Sequence, residues 1–171
     1  MDDEVRPEGG YTPKQRRVHW IVAGLVVLQL FLGVIIGSTQ PSQHIQIMWL
    51  HAAVGSTIFV LMLSRWRLRQ RVGAPKPPPG TPVDAAALAR ANHLGYYALL
   101  LGIPVIGWCA YLFDSGFGSL HAAGAGILVL AIVAHLCGVY YHRFIREDSL
   151  LSRMLPGQRA SEPATRTTTS G

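Results

Sequence analysis

The stretch that decides the fold is SLHAAGAGILVLAIVAHLCGVYYHRF, residues 119–144. It is apolar enough for a lipid bilayer, yet it contains His121, His135 and His142. A helix advances about 100° and about 1.5 Å per residue, so His121 and His135 lie about 40° apart in azimuth and about 21 Å apart in height. That separation fits two sites stacked through a hydrocarbon core of about 30 Å. It excludes a single metal ion bound by both histidines.

The charged residues around this stretch predict an integral membrane protein. The chain has 171 residues, of which 50% are hydrophobic and only 14% are charged. No Asp, Glu, Lys or Arg occurs between Arg17 and Arg65, and Asp114 is the only one between Arg90 and Arg143. Each of these two segments is long enough for two helices of about 20 residues with a short turn between them.

The apolar runs predict four membrane spans, at about 18–37, 45–64, 94–113 and 119–141. Turn residues separate them, with STQPS between the first two spans and DSG between the last two. Thr12 and Pro13 are typical of an N-cap and a first helical residue, so helix 1 should begin before its apolar run. We therefore predict an all-α, four-helix membrane bundle with up-down-up-down topology.

The basic residues predict the orientation of the bundle. All 15 Lys and Arg lie in the N-terminal segment, the loop between spans two and three, or the C-terminal tail. Positive charge marks the cytoplasmic side, so both termini are predicted to be cytoplasmic (inner) and the two short loops outer. Trp20 and Trp66 then fall near the inner interface, and Trp49 and Trp108 near the outer one. The net charge of +6 favours membrane lipid as a partner, and no soluble basic domain is present for nucleic acid.

The predicted transmembrane domain comprises residues 11–155. Residues 1–10 are predicted to be flexible, and residues 156–171 to form a disordered C-terminal tail. Cys109 and Cys137 fall in different spans. We expect two buried thiols that act as small apolar residues and form no disulfide.

The histidines form a pattern within the predicted spans. Of the seven histidines, His44 lies in an outer loop. The other six lie in or at the edge of a span: His19, His51, His93, His121, His135 and His142. Any one of them alone would most simply be an interhelical hydrogen-bonding or interfacial residue, although ionisable groups inside a membrane usually mark function. Topology sorts the set into two layers. The outer layer contains His51 with His121, and the inner layer contains His135 with either His19 or His93.

Two imidazoles that face each other across a bundle are suited to axial ligation of haem iron. Ligation on both sides favours electron transfer over oxygen binding. Zinc would need three or four ligands in each site, and no Cys, Asp or Glu accompanies the outer pair. Small residues beside the histidines give a porphyrin flat space or, equally, allow close helix packing: Gly55, Ala122, Ala123, Gly124, Gly126 and Gly138. The chain has no Cys-x-x-Cys-His motif, so haem would be held non-covalently.

Arg65 follows His51 by fourteen residues and projects from nearly the same face at the inner end of helix 2. An arginine there is placed to pair with a haem propionate. The competing interpretation is an ordinary positive-inside anchor, which position alone slightly favours.

In order and spacing, these motifs resemble the bacterial cytochrome b-561 family, small four-helix dihaem membrane cytochromes related to the cytochrome b subunits of nickel-iron hydrogenases. The resemblance covers about Tyr11 to Pro156. It rests on RRVHW in helix 1, LHAAVG with the Arg65 spacing in helix 2, and NHLGYYALLLGIPVIGW in helix 3. HAAGAG, AHLCGVYYHRF and SLLSRMLP complete it in and after helix 4.

The resemblance implies a bacterial inner-membrane protein with two b-type haems per chain. It implies these iron ligands: His19 and His135 for the inner haem, His51 and His121 for the outer haem. His93 matches a family histidine that is not a ligand. The resemblance also implies electron transfer to ubiquinone or another membrane quinone, with superoxide oxidation in some members. The outer loops of this chain contain no Lys or Arg, and Asp114 is negative, which disfavours the capture of an anion.

His142 lies seven residues beyond His135, about 20° away in azimuth and about 10 Å nearer the cytoplasm. A quinone needs hydrogen-bond donors and a proton source, and imidazole supplies both. We predict a quinone site at His142, with Tyr141 or Arg143 assisting. The alternative is an interfacial histidine wetted by lipid headgroups.

Three functions are consistent with the sequence. The first is a transmembrane electron carrier between an outer reductant and quinone. The second is a cytochrome b membrane-anchor subunit for a partner dehydrogenase or hydrogenase. The third is a non-redox proton or ion carrier, which usually also has intramembrane carboxylates. The predicted spans contain none.

Overall fold

The computed structural model describes residues 11–38, 40–73, 83–113 and 116–145. Within these ranges the chain forms four α-helices and no strand: α1 (Pro13–Ile36), α2 (Pro41–Val72), α3 (Val83–Phe113) and α4 (Phe117–Phe144). Each helix is long and apolar enough to cross a membrane. The predicted all-α four-helix architecture is thus confirmed. The predicted flexible N-terminus and disordered C-terminal tail lie outside the described residues.

The ends of the helices follow local chemistry. Thr12 caps α1: its hydroxyl accepts a hydrogen bond from the Gln15 backbone at 3.2 Å, and the Gln15 side chain accepts one from the Thr12 N–H at 3.0 Å. This capping box satisfies backbone donors that a helix start leaves unpaired. The N-cap predicted at Thr12 and the first helical position predicted at Pro13 are confirmed. Pro41 likewise opens α2, and Gly116, with φ of +73°, precedes α4.

On the inner side, α2 and α3 extend well beyond the predicted spans. The apolar runs predict an end near residue 64 and a start near residue 94, whereas α2 continues to Val72 and α3 begins at Val83. The added turns contain most of the basic residues of the inner loop. Hydropathy marks the length of helix that lipid covers, and a helix can continue into polar surroundings beyond it.

The helices pack in the order of the chain. α1 packs on α2, α2 on α3 and α3 on α4, and within the described residues α4 has extensive contacts with α3 alone. A small core runs through the bundle: Val22, Val26, Leu32, Val54, Ile58, Met62, Tyr97 and Leu128. Many large apolar side chains point outward, as a lipid-facing surface allows; Val34 is 76% exposed and Leu130 71%. The space between α4 and the α1–α2 pair is therefore bridged mainly by side chains.

Aromatic contacts mark the two ends of the bundle. Trp49 and Trp108 lie at one end with ring centres 6.4 Å apart, and Trp66 contacts Tyr97 at the other end with ring centres 5.0 Å apart. α2 and α3 are therefore antiparallel. Trp49 and Trp108 share one level, as the predicted outer belt requires.

Candidate functional site

The predicted outer histidine pair comes together in the structure. His51 on α2 and His121 on α4 have ring centres 6.0 Å apart, with their planes inclined at 73°. Both residues are half-buried. α2 and α4 do not pack extensively on each other, so this approach is made by the side chains across the open side of the bundle.

Two glycines on neighbouring helices lie against the imidazoles, and the one beside His121 leaves space that a side chain would fill. A Cβ at Gly33 on α1 would lie 3.5 Å from Cε1 of His51, which is ordinary contact. A Cβ at Gly107 on α3 would lie 2.9 Å from Cε1 of His121, closer than real Cβ contacts come. Sequence reasoning missed both glycines, because each serves a histidine on another helix and neither stands near a histidine along the chain.

The glycines that the sequence did single out serve different purposes. A Cβ at Gly55 would meet Nε2 of Gln29 at 2.9 Å, and a Cβ at Gly124 would meet Cγ1 of Ile103 at 3.1 Å. These two positions permit close helix packing. Gly126 and Gly138 have nothing within 4 Å of such a Cβ, so they adjoin open space. The packing interpretation is thus confirmed at Gly55 and Gly124, and space for a porphyrin beside the other small residues stays a prediction.

His121 has one ring nitrogen fixed by the backbone. Its Nδ1 lies 2.9 Å from the carbonyl oxygen of Ile103 on α3. A carbonyl only accepts, so Nδ1 carries the proton, and in the neutral ring Nε2 keeps a lone pair for a metal. This is the usual arrangement of a metal-ligating histidine, in which the second nitrogen donates to a backbone carbonyl or carboxylate.

The inner end of the bundle gathers three further imidazoles. His19 on α1, His93 on α3 and His135 on α4 lie near one another. His135 lies against Tyr96, with ring centres 5.8 Å apart, and the Tyr96 hydroxyl donates to the carbonyl of Ala131 on α4 at 2.5 Å. Both sequence candidates for the partner of His135 are thus at its level, and the choice between them stays a prediction.

Arg65 reaches this inner group. Its Nη1 donates a hydrogen bond to Nδ1 of His19 at 2.9 Å. Beside it, a small cleft opens at the inner end between α1, α2 and α3, and the residues that line it are Tyr11, Gln15, Arg65, Arg69, Gly73, His93 and Tyr97. The Gln15 amide closes the cleft at one side by donating to the carbonyl of Gly73 at 3.2 Å. The cleft is rich in positive charge and suits an anionic group.

The residues predicted for a quinone site lie in the last turn of α4. Arg143 lies over the ring of Phe144, with its guanidinium carbon 5.7 Å from the ring centre. Tyr141 is half-exposed. The side chain of His142 lies outside the described part of the chain, so the quinone site remains a prediction.

The remaining site expectations concern cysteines and metal clusters. Cys109 is half-buried and Cys137 is exposed, and neither forms a disulfide. Neither thiol is fully buried among the helices, and Cys137 faces outward because α4 packs chiefly on α3. Among the described residues, no three His, Cys, Asp or Glu side chains are grouped to bind one ion.

Comparison with known proteins gives one consistent result. The family model described as prokaryotic cytochrome b561 matches residues 10–157. A cytochrome b562 of Cereibacter sphaeroides is 31% identical over 86% of this chain and 96% of its own length. A probable superoxide oxidase CybB of Yersinia pestis is 24% identical over 87% of this chain and 97% of its own. A cytochrome b561 homolog of Escherichia coli is 26% identical over 64% of this chain and 74% of its own.

Proposed function

The chain belongs to the prokaryotic cytochrome b561 family, and from this premise we propose that it is a dihaem cytochrome that moves electrons between an outer reductant and membrane quinone. The family membership and the four spanning helices make it a multi-pass bacterial membrane protein that carries electrons and binds haem b. The number of haems, their ligands and the redox partners are the content of the proposal.

The observation that carries the proposal is the His51–His121 pair. Metal–imidazole bonds are about 2 Å long, so the ring centres of two histidines that held one metal ion between them would lie roughly 6 Å apart. The two rings here are 6.0 Å apart. They come from α2 and α4, which have no extensive backbone contacts with each other. The residues therefore fit an outer haem.

For the inner haem we propose His19 and His135 as ligands, as the family resemblance implies. His19, His93 and His135 lie near one another, so proximity alone does not choose between the two pairings. His93 is the rival, since its Nδ1 lies 2.7 Å from the carbonyl of Ala89 and so leaves Nε2 for a metal. Arg65 donates to Nδ1 of His19 in this structure, so it must release that nitrogen before Nε2 of His19 can bind iron, and Arg65 is then placed with Arg69 to bind the propionates of the inner haem.

The chain would ligate the haem irons, set the distance between the two sites and keep water away from the space between them. When bound, haem would supply reversible one-electron chemistry at iron, and His19, His51, His121 and His135 are the residues that would hold it. His121 and His135 hold the two sites about 21 Å apart along α4, one toward each membrane face. The apolar residues between them exclude water from the route.

The nature of the outer reductant is the finer part of the proposal. The Yersinia pestis relative is described as a probable superoxide oxidase, which supports superoxide as one donor. The absence of Lys and Arg from the outer loops gives no electrostatic attraction for such an anion. We expect slow, weakly salt-dependent reaction with superoxide, and transfer to a quinone at the His142 end of α4.

The experiment that tests the proposal is haem quantitation on the purified protein. A pyridine haemochrome assay with a reduced-minus-oxidised spectrum should give two b-type haems per chain. His51→Ala should remove one haem and spare the other. His44→Ala is the matched control, because His44 is an exposed histidine near the outer end of α2 and should leave both haems. One haem or none in the unchanged protein contradicts the dihaem proposal.

A further inference from the structure

Gln29 is a polar side chain in the apolar middle of α1, where it faces α2. It lies one turn before Gly33, and His51 lies one turn before Gly55 on α2. The amide of Gln29 occupies the space over Gly55, and the ring of His51 occupies the space over Gly33. Each helix thus places its polar side chain over the glycine of the other, which brings the amide and the imidazole to one helix crossing.

Each of these side chains contains a buried atom without a hydrogen bond. Oε1 of Gln29 and Nδ1 of His51 are the two such side-chain atoms among the described residues. The backbone of Gln29 lies near the His51 ring as well, but no partner meets hydrogen-bond geometry at Nδ1. A protonated Nδ1 donates and an amide oxygen accepts, so the two atoms are complementary. Burial makes it costly to leave either of them unpaired.

Comparison with His121 shows that His51 lacks a hydrogen-bonded acceptor at Nδ1. His121 has its Nδ1 fixed on the carbonyl of Ile103, whereas the Gln29 backbone near His51 does not meet hydrogen-bond geometry at Nδ1. Metal-ligating histidines almost always donate their other N–H to an oxygen, which sets the tautomer and the ring orientation and makes the ligand more basic. We propose that Gln29 is the positioning residue for His51: after a side-chain rotation, its Oε1 accepts the Nδ1–H when Nε2 binds iron.

This inference rests on the proposed function, because it assigns His51 to the outer haem. The hydrogen bond makes the imidazole a better donor to oxidised iron, so it lowers the midpoint potential of that haem. Its effect should be confined to the outer haem, since the inner histidines lie at the other end of the bundle.

The test is a redox titration of both haems in Gln29→Leu, Gln29→Met and Gln29→Glu. We expect Leu and Met to raise the midpoint potential of the outer haem and to weaken its retention about tenfold. Glu, as a stronger acceptor, should lower the potential or leave it near that of the unchanged protein. The inner haem should keep its potential in all three. Gln43→Leu is the control, because it removes an exposed amide near the outer end of α2.

The results separate this inference from the function on which it rests. If the unchanged protein binds two haems and both potentials stay the same in Gln29→Leu and Gln29→Met, the inference is wrong and the proposed function stands. If the unchanged protein lacks an outer haem, the proposed function fails first. Should Leu prevent folding, the unbranched Met variant decides the outcome by its potentials and its haem content.

Discussion

The substitution Gly107→Ala should selectively weaken the outer haem site. The added Cβ would lie 2.9 Å from Cε1 and 3.0 Å from Nδ1 of His121. Carbon atoms pack favourably at about 3.5–4.0 Å, so the ring must move by roughly 1 Å. It cannot move freely, because its Nδ1 is bonded to the carbonyl of Ile103 at 2.9 Å. Overpacking of this kind costs about 1–3 kcal/mol.

The added Cβ destabilises mainly the haem-binding form. In that form the His121 ring is held at Nδ1 by the Ile103 carbonyl and at Nε2 by iron. A penalty of about 1–3 kcal/mol corresponds to about 5- to 150-fold weaker retention of the outer haem. The assay is transfer of haem from the purified protein to an excess of a haem-scavenging apoprotein, followed in the visible spectrum. The fast-released fraction should equal one haem per chain, and the inner haem should leave at its normal rate.

Gly102→Ala is the matched control for this experiment. It lies on the same helix, and a Cβ there meets nothing within 4 Å. Both variants replace glycine in a helix interior by alanine, which by itself favours the helix by about 1 kcal/mol. Gly102→Ala should therefore keep both haems. If Gly107→Ala released haem no faster than Gly102→Ala, the reasoning from His121 geometry would be refuted.

Three further predictions concern the inner end of the bundle. His19→Ala should remove one haem and His93→Ala none, as haemochrome assays of the two variants would show; the reverse result would make His93 the inner ligand. His142→Ala should retain both haems but slow haem reoxidation by a soluble quinone in stopped flow, and an unchanged rate would leave His142 an interfacial residue. Thr12→Ala removes the α1 cap and should destabilise the protein by about 1 kcal/mol in thermal unfolding, with the haem spectrum unaltered; an unchanged unfolding curve would mean that the cap is energetically unimportant.

The sequence predicts the fold well because a bilayer imposes strong rules. Spans need about 20 apolar residues and internal backbone hydrogen bonding, so the charge-free segments alone define four helices. Helix periodicity also predicts that His51 and His121 share a level, which the structure confirms with ring centres 6.0 Å apart. The inner ends are less predictable, because α2 and α3 continue past the apolar runs to Val72 and from Val83.

Contacts between helices are where the sequence is least informative. Gly107, Gly33 and Gln29 border the histidine pair, yet each is distant from its partner along the chain. Periodicity within a helix gives the face of a residue but not the side chain opposite to it. The same limit explains Cys137: an apolar span predicts membrane burial, whereas contact with other helices depends on which neighbours α4 has.

The packing of α4 has a consequence for how the protein is assembled. This helix contains both His121 and His135 but has extensive contacts with α3 alone among the described helices. On the proposed assignment, the ligands of the two irons tie α4 to α2 and to α1 where side-chain packing is sparse. Ligand binding of this kind stabilises the native state by mass action. Haem supply would then control maturation: newly inserted chains would remain loosely closed and open to membrane proteases until both histidine pairs were engaged.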